Sequence, residues 1–188
     1  MTNLLIKLFI KDYKNTKSPQ VRAAYGTMSG IVGIVVNVIL TVIKFLIGSS
    51  TGSIAITGDA LNNLSDAGSS AISLLGFKLS SKPADREHPY GHGRLEYVCG
   101  MGVGVIIMFM GYELIKNSVQ KIINPEKTAF SWVAVIVLAV SILGKLWLAF
   151  FNKQIGRRID SGTVDAVVTD SISDIAATTA SILSLIHI

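Results

Sequence analysis

Gly58-Asp59-Ala60-Leu61-Asn62-Asn63-Leu64-Ser65-Asp66-Ala67 is a polar, acidic stretch inside a run of small and apolar residues long enough to cross a bilayer. On a helix, residues four apart share a face and residues seven apart nearly do, which sets Asp59, Asn62 and Asp66 in one oxygen-bearing row. A carboxylate at the centre of a spanning helix costs about 2.5–3.5 kcal/mol, so this row is expected to face a bundle interior or a water-filled cavity and to mark a functional site.

The chain around it is too apolar for an ordinary soluble domain. Of its 188 residues, 50% are hydrophobic and 15% charged, and the mean hydropathy is +0.55. Five apolar runs, at about 29–47, 53–77, 97–115, 128–151 and 162–188, are each near or above the length a spanning helix needs. An all-α, polytopic transmembrane bundle of five helices is therefore expected. Residues 1–28 carry Lys7, Lys11, Lys14, Lys17 and Arg22 and the apolar patch Leu4-Leu5-Ile6, without the cleavage site of a signal peptide. They read as a cytoplasmic segment, either an amphipathic surface helix or a disordered tail, ahead of a transmembrane domain at 29–188.

The net charge of +5 does not point to nucleic acid, because the basic residues lie in short segments between apolar runs. The N-terminal segment holds five. Lys78, Lys82, Arg86 and Arg94 follow helix two, and Lys153, Arg157 and Arg158 follow helix four, all on the same side, which places the N-terminus in the cytoplasm. Lys116, Lys121 and Lys127 fall on the other side. Lys44 and Lys145 lie within apolar runs, near their ends, and are expected to snorkel to the interface. Trp132 and Trp147 read as interface anchors at opposite ends of helix four, and Gly26-x-x-x-Gly30, Gly33 and Gly100/Gly102/Gly104 as helix contacts. A single Cys99 excludes an intrachain disulfide or a Cys-rich zinc site and reads as a small packing residue.

Helix five echoes helix two. Asn62-Asn63-Leu64-Ser65-Asp66 is matched by Asp170-Ser171-Ile172-Ser173-Asp174, a shared [Asn/Asp]-x-x-Ser-Asp pattern. Two helices that each offer an oxygen at i and a carboxylate at i+4 can enclose one cation in four protein ligands. The alternative is a set of polar pairs that only hold helices together.

With the loop Lys82-Pro83-Ala84-Asp85-Arg86-Glu87-His88-Pro89-Tyr90-Gly91-His92-Gly93-Arg94-Leu95-Glu96, the Tyr25-Gly26 to Asn37 and Lys44 features of helix one and the Asp59 to Asp66 block, the chain resembles the cation diffusion facilitator family of divalent-metal/proton antiporters. The resemblance implies a transport site of Asn62, Asp66, Asp170 and Asp174; Asp59, outside that quartet, is expected to support the site, with lining the path or capping a helix as the alternatives. It implies a second metal site at Asp85, His88 and His92, for which a hydrogen-bonded turn or lipid contact is the alternative. It also implies a homodimer in the full-length protein, exchange of metal against protons, and a bacterial plasma-membrane location. The quartet contains no His, unlike many zinc-transporting members. One amide and three carboxylates suit Mn²⁺, with Zn²⁺, Fe²⁺, Co²⁺ and Cd²⁺ as further cargo. Neither a resident cofactor nor enzymatic activity is expected, since His-Pro-Tyr-Gly-His lacks the glutamate of a zinc hydrolase. A non-transporting scaffold with a structural metal and a cation channel are the rival functions. The family pattern continues with a sixth helix and a soluble domain, so the chain is expected to be a fragment, its last six residues, 183–188, reading like a translated sequencing adapter.

Overall fold

Ser18-Pro19 opens the first helix: proline lacks the N–H that a first turn leaves unpaired anyway, and Arg22 N–H closes the turn on the Ser18 carbonyl at 2.9 Å. In the computed structural model, which describes residues 6–7, 9–10, 13–16, 18–51, 54–86, 88–123 and 132–187, five helices follow one another. They are α1 (Pro19–Thr51), α2 (Ile54–Ser80), α3 (Leu95–Ile123), α4 (Trp132–Ile159) and α5 (Gly162–His187). No strand occurs among the described residues. Pro19–Ser50, Leu95–Glu113 and Trp132–Ile159 are long and apolar enough to cross a membrane. Those helices turn large apolar side chains outward, such as Val38, Phe45 and Leu46 on α1, Met108 and Phe109 on α3 and Leu143 and Phe150 on α4. An apolar outside with polar groups inside is the arrangement a bilayer demands, and the chain is an all-α membrane helix bundle.

The helices pack as α1 on α2, α2 on α3 and α4 on α5, with α3 also against α5 and α1 against α4; α2 meets α5 over a short stretch only. The α1–α2 seam is built by glycine. A Cβ at Gly26 would fall inside the Phe77 ring, one at Gly30 would come within 2.7 Å of Leu74 Cβ and one at Gly33 within 2.6 Å of Ser70 Oγ. Three glycines at helical spacing thus let the two backbones approach closely. Gly100 does the same for α3 against Thr163, and Gly76 against Cys99, which is a packing residue. Gly102 and Gly104 differ from expectation: among the described residues, no group of another helix lies within 4 Å of a Cβ there.

At the basic end of the bundle, Ile6 and Ile10 are buried with Val21, Tyr25, Met28, Phe77, Phe151, Ile155, Ile159 and Val164. The described part of the N-terminal segment is packed on the bundle, and Tyr25 Oη–H donates to the Tyr13 carbonyl at 2.9 Å. Leu4, Leu5, Lys11, Lys17, Glu87, Lys127 and Ile188 lie outside the described residues. Beside this core Arg22 grips Glu96 of α3 through two bonds, Nη2–Oε1 at 2.9 Å and Nε–Oε2 at 3.3 Å, and donates from Nη1 to the Ile159 carbonyl at 2.6 Å. Ser161 Oγ–H donates to the same Glu96 at 2.8 Å. A forked guanidinium–carboxylate pair is among the stronger polar contacts, and here it ties α1, α3 and the α4–α5 turn together.

Candidate metal centre

Asn62 and Asp66 are one helical turn apart on α2, as are Asp170 and Asp174 on α5, so each helix presents two oxygens on one face. The short α2–α5 contact brings the two faces together. One carboxylate oxygen each from Asp66, Asp170 and Asp174 lies within 4.8 Å of the others. Asn62 joins them by donating from Nδ2 to Asp174 Oδ1 at 3.0 Å. The three carboxylates are buried, Asp66 to 3% exposure, while Asn62 is half-buried. Ser65 and Ser173, the serines of the repeated pattern, are exposed and donate to the carbonyls of Leu61 and Thr169 on their own helices, at 3.2 and 3.1 Å. The pattern's serines therefore stand outside the oxygen set.

A residue from a third helix completes the cluster. Lys145 of α4 is 4% exposed, and its ammonium donates to Asp66 Oδ2 and, at 2.6 Å, to Asp174 Oδ2. It does not snorkel. The apolar run that suggested proximity to a helix end stops at Phe151, but α4 continues to Ile159, leaving Lys145 near its middle. For the same reason Trp147 is not at an end of α4; it stacks on Phe151 with ring centroids 5.5 Å apart. Lys44 also corrects expectation: it is 2% exposed on its side chain and pairs with Asp59 Oδ2 at 2.7 Å. Asp59 therefore faces α1 and pairs with Lys44 rather than with the quartet. A lone lysine in an apolar run was the available signal for both pairs, since a buried ammonium, like a buried carboxylate, needs a partner.

Asp85, His88 and His92 form a second group, in the loop between α2 and α3, whose ligand atoms also lie within 4.8 Å of one another. Backbone geometry assembles it. The His88 N–H donates to Asp85 Oδ1 at 2.6 Å, Gly91 N–H reaches the His88 carbonyl at 2.9 Å, and Gly91 takes φ 76°, where a side chain would be strained. His92 Nδ1 lies 3.3 Å from the Pro83 carbonyl, and its Nε2 lies 3.6 Å from Asp85 Oδ2. The two rings lie 4.4 Å apart. The Asp85 carboxyl is held below its ordinary value of 3.8, first by the His88 backbone N–H and then by the His88 side chain.

Residues 30–188 match the cation efflux transmembrane domain. An uncharacterized transporter of Methanocaldococcus jannaschii is 35% identical over 131 residues, 70% of this chain and 46% of that protein. The manganese efflux system protein MneS of Bacillus subtilis is 30% identical over 149 residues, covering 79% and 51%. The magnetosome protein MamM of Paramagnetospirillum magneticum is 28% identical over 162 residues, covering 84% and 50%. The chain thus spans about half the length of the relatives it matches. With a bundle of this architecture, an oxygen cluster where two matching helices meet, and a family match over most of its length, the chain belongs to the cation efflux, or cation diffusion facilitator, family.

Proposed function

We propose that the chain is the membrane part of a divalent metal exporter that exchanges the metal for protons, with Mn²⁺ as its principal cargo. The observation that carries this is the convergence of Asn62, Asp66, Asp170 and Asp174 in the bundle interior. An all-oxygen set suits a hard dication, and the family relative MneS is named for manganese efflux. Three carboxylates with the Lys145 ammonium leave a formal charge of −2, which one dication or two protons neutralise. Exchange of one for the other keeps the buried site near neutral throughout the cycle, as a low-dielectric interior favours. The positive-inside distribution puts the basic end, and with it the Asp85–His88–His92 loop, in the cytoplasm. There the loop would take up a second metal ion on the supply side, as a regulatory or capturing site.

The test is uptake into proteoliposomes. Mn²⁺ addition should drive counterflow of protons, and an imposed pH gradient should drive Mn²⁺ movement. Metal binding without proton flux would make the protein a scaffold, and flux indifferent to the pH gradient would make it a channel; either result overturns the proposal.

A further inference from the structure

Lys145 is bonded to two of the carboxylates that the proposed function assigns to the metal, yet nothing in the ligand set calls for a lysine. We propose that Lys145 is a tethered cation that competes with the transported metal for Asp66 and Asp174. The inference rests on the reading of the quartet as the transport site and names the residue that sets its affinity.

The geometry leaves little alternative to competition. Lys145 Nζ bonds Oδ2 of both Asp66 and Asp174, from a helix that supplies no oxygen to the cluster. Asp66 Oδ1 has no hydrogen-bond partner among the described residues, and Asp174 Oδ1 accepts from the Asn62 amide. A metal ion that uses the Oδ2 atoms must expel the ammonium. One that uses Oδ1 of Asp66 binds with a positive charge a few ångströms away, in a setting where water screens poorly. In both cases the lysine lowers metal affinity while it stays charged, so the effect requires no change of its protonation.

A carrier has use for such a brake. Three buried carboxylates and an amide would hold a dication tightly, and a site that binds too tightly does not release. The ammonium also returns to the carboxylates when the metal leaves, so that Asp66 and Asp174 are not left as uncompensated buried charges before protons bind. The lysine thus covers the interval between metal release and proton uptake.

The experiment is a Mn²⁺ titration of the detergent-purified protein at about pH 8, where ordinary carboxylates are ionised, following the EPR signal of free Mn²⁺. Lys145→Met should tighten binding by about tenfold or more, and Lys145→Arg, which keeps the charge, should bind close to the wild-type affinity. In proteoliposomes the Met variant should lower KM and kcat together, because release slows. Lys145→Gln carries the same test if the Met variant does not insert. A merely structural lysine predicts the opposite sign, since its loss would disorder the ligands and weaken binding. Unchanged or weaker Mn²⁺ binding in both neutral variants, with binding abolished in Asp174→Asn, overturns the inference and leaves the site in place. Wild-type binding that Asp174→Asn does not alter overturns the site assignment itself.

Discussion

Two trios of candidate ligating side chains, Asp66–Asp170–Asp174 and Asp85–His88–His92, each gather within the same 4.8 Å, yet they are built by opposite means. The first is buried and assembled by helix packing, with charge balanced by a lysine brought from α4. The second is largely exposed and assembled by one tight loop, with a backbone amide and a carbonyl doing the positioning. Burial makes the first site dependent on charge balance and on the relative placement of three helices. Exposure makes the second tolerant, because solvent screens its charges and the loop can adjust. The same count of ligands therefore predicts unequal consequences when each is damaged.

The largest effect belongs to the buried trio. Asp66→Ala or Asp174→Ala should abolish Mn²⁺ transport in proteoliposomes, and should lower stability because the buried Lys145 ammonium keeps only one of its two carboxylate partners. Asp→Asn at the same positions should abolish transport with less loss of folded protein; wild-type rates in a well-inserted variant would erase the contrast between the two trios. Next in size, Asn62→His should shift competitive uptake toward Zn²⁺ and away from Mn²⁺, because imidazole suits zinc better than an amide oxygen does. It should also bring a dependence on acidity between about pH 6 and 8, since an unperturbed imidazole titrates in that range. An unchanged Mn²⁺/Zn²⁺ ratio would remove Asn62 from the ligand set.

Smaller again, His88→Ala with His92→Ala should weaken transport without abolishing it, by roughly the tenfold to hundredfold typical of groups that tune a metal site from outside its ligand set. Complete loss with normal insertion would place the loop on the obligatory route and collapse the distinction. The smallest effect concerns acid. Because the Asp85 carboxyl titrates below its ordinary 3.8 in the folded loop, the bond from the His88 N–H supports the loop above that value and is lost as pH falls through the lowered one. Protection of the His88 amide against exchange should therefore fall as pH drops through the lowered value in the wild type and be absent at all pH values in Asp85→Ala. A wild-type amide with no such transition would show the loop to be held by its other contacts.

Much of this was legible beforehand, for reasons that can be named. Five helices announce themselves because apolar runs of spanning length leave few other folds. The quartet is legible because its two halves repeat one spacing on two helices, and a repeat of costly residues is hard to explain without a shared partner. Helix ends were not. α1 starts at Pro19 inside a stretch whose lysines suggest a tail, because Val21, Tyr25 and Met28 find a core made by α2 and α4 that no local pattern displays. Misplaced ends then hid Lys44 and Lys145, whose partners lie on other helices and whose burial depends on how far each helix runs. Likewise α2 is absent from the helices apolar enough to cross a membrane alone, as is α5. They carry the oxygens, and a helix that bears a site gives up part of its hydropathy signal to it.

The turn between α4 and α5 consists of Asp160 and Ser161, with Asp160 at φ 48° and the Ile159 carbonyl held by Arg22 at 2.6 Å. So short a connection joins Lys145 and the two α5 aspartates into one hairpin, while Asp66 rides on a separate helix. The Lys145–Asp174 pair therefore lies within one hairpin, whereas the bond to Asp66 crosses to a separate helix. Of the buried cluster's charged groups, the hairpin holds two carboxylates and one ammonium, a formal −1 where the carboxylates alone would be −2. At about 2.3 kcal/mol per charge per 100 mV, that one ammonium halves the coupling of these buried groups to a membrane potential.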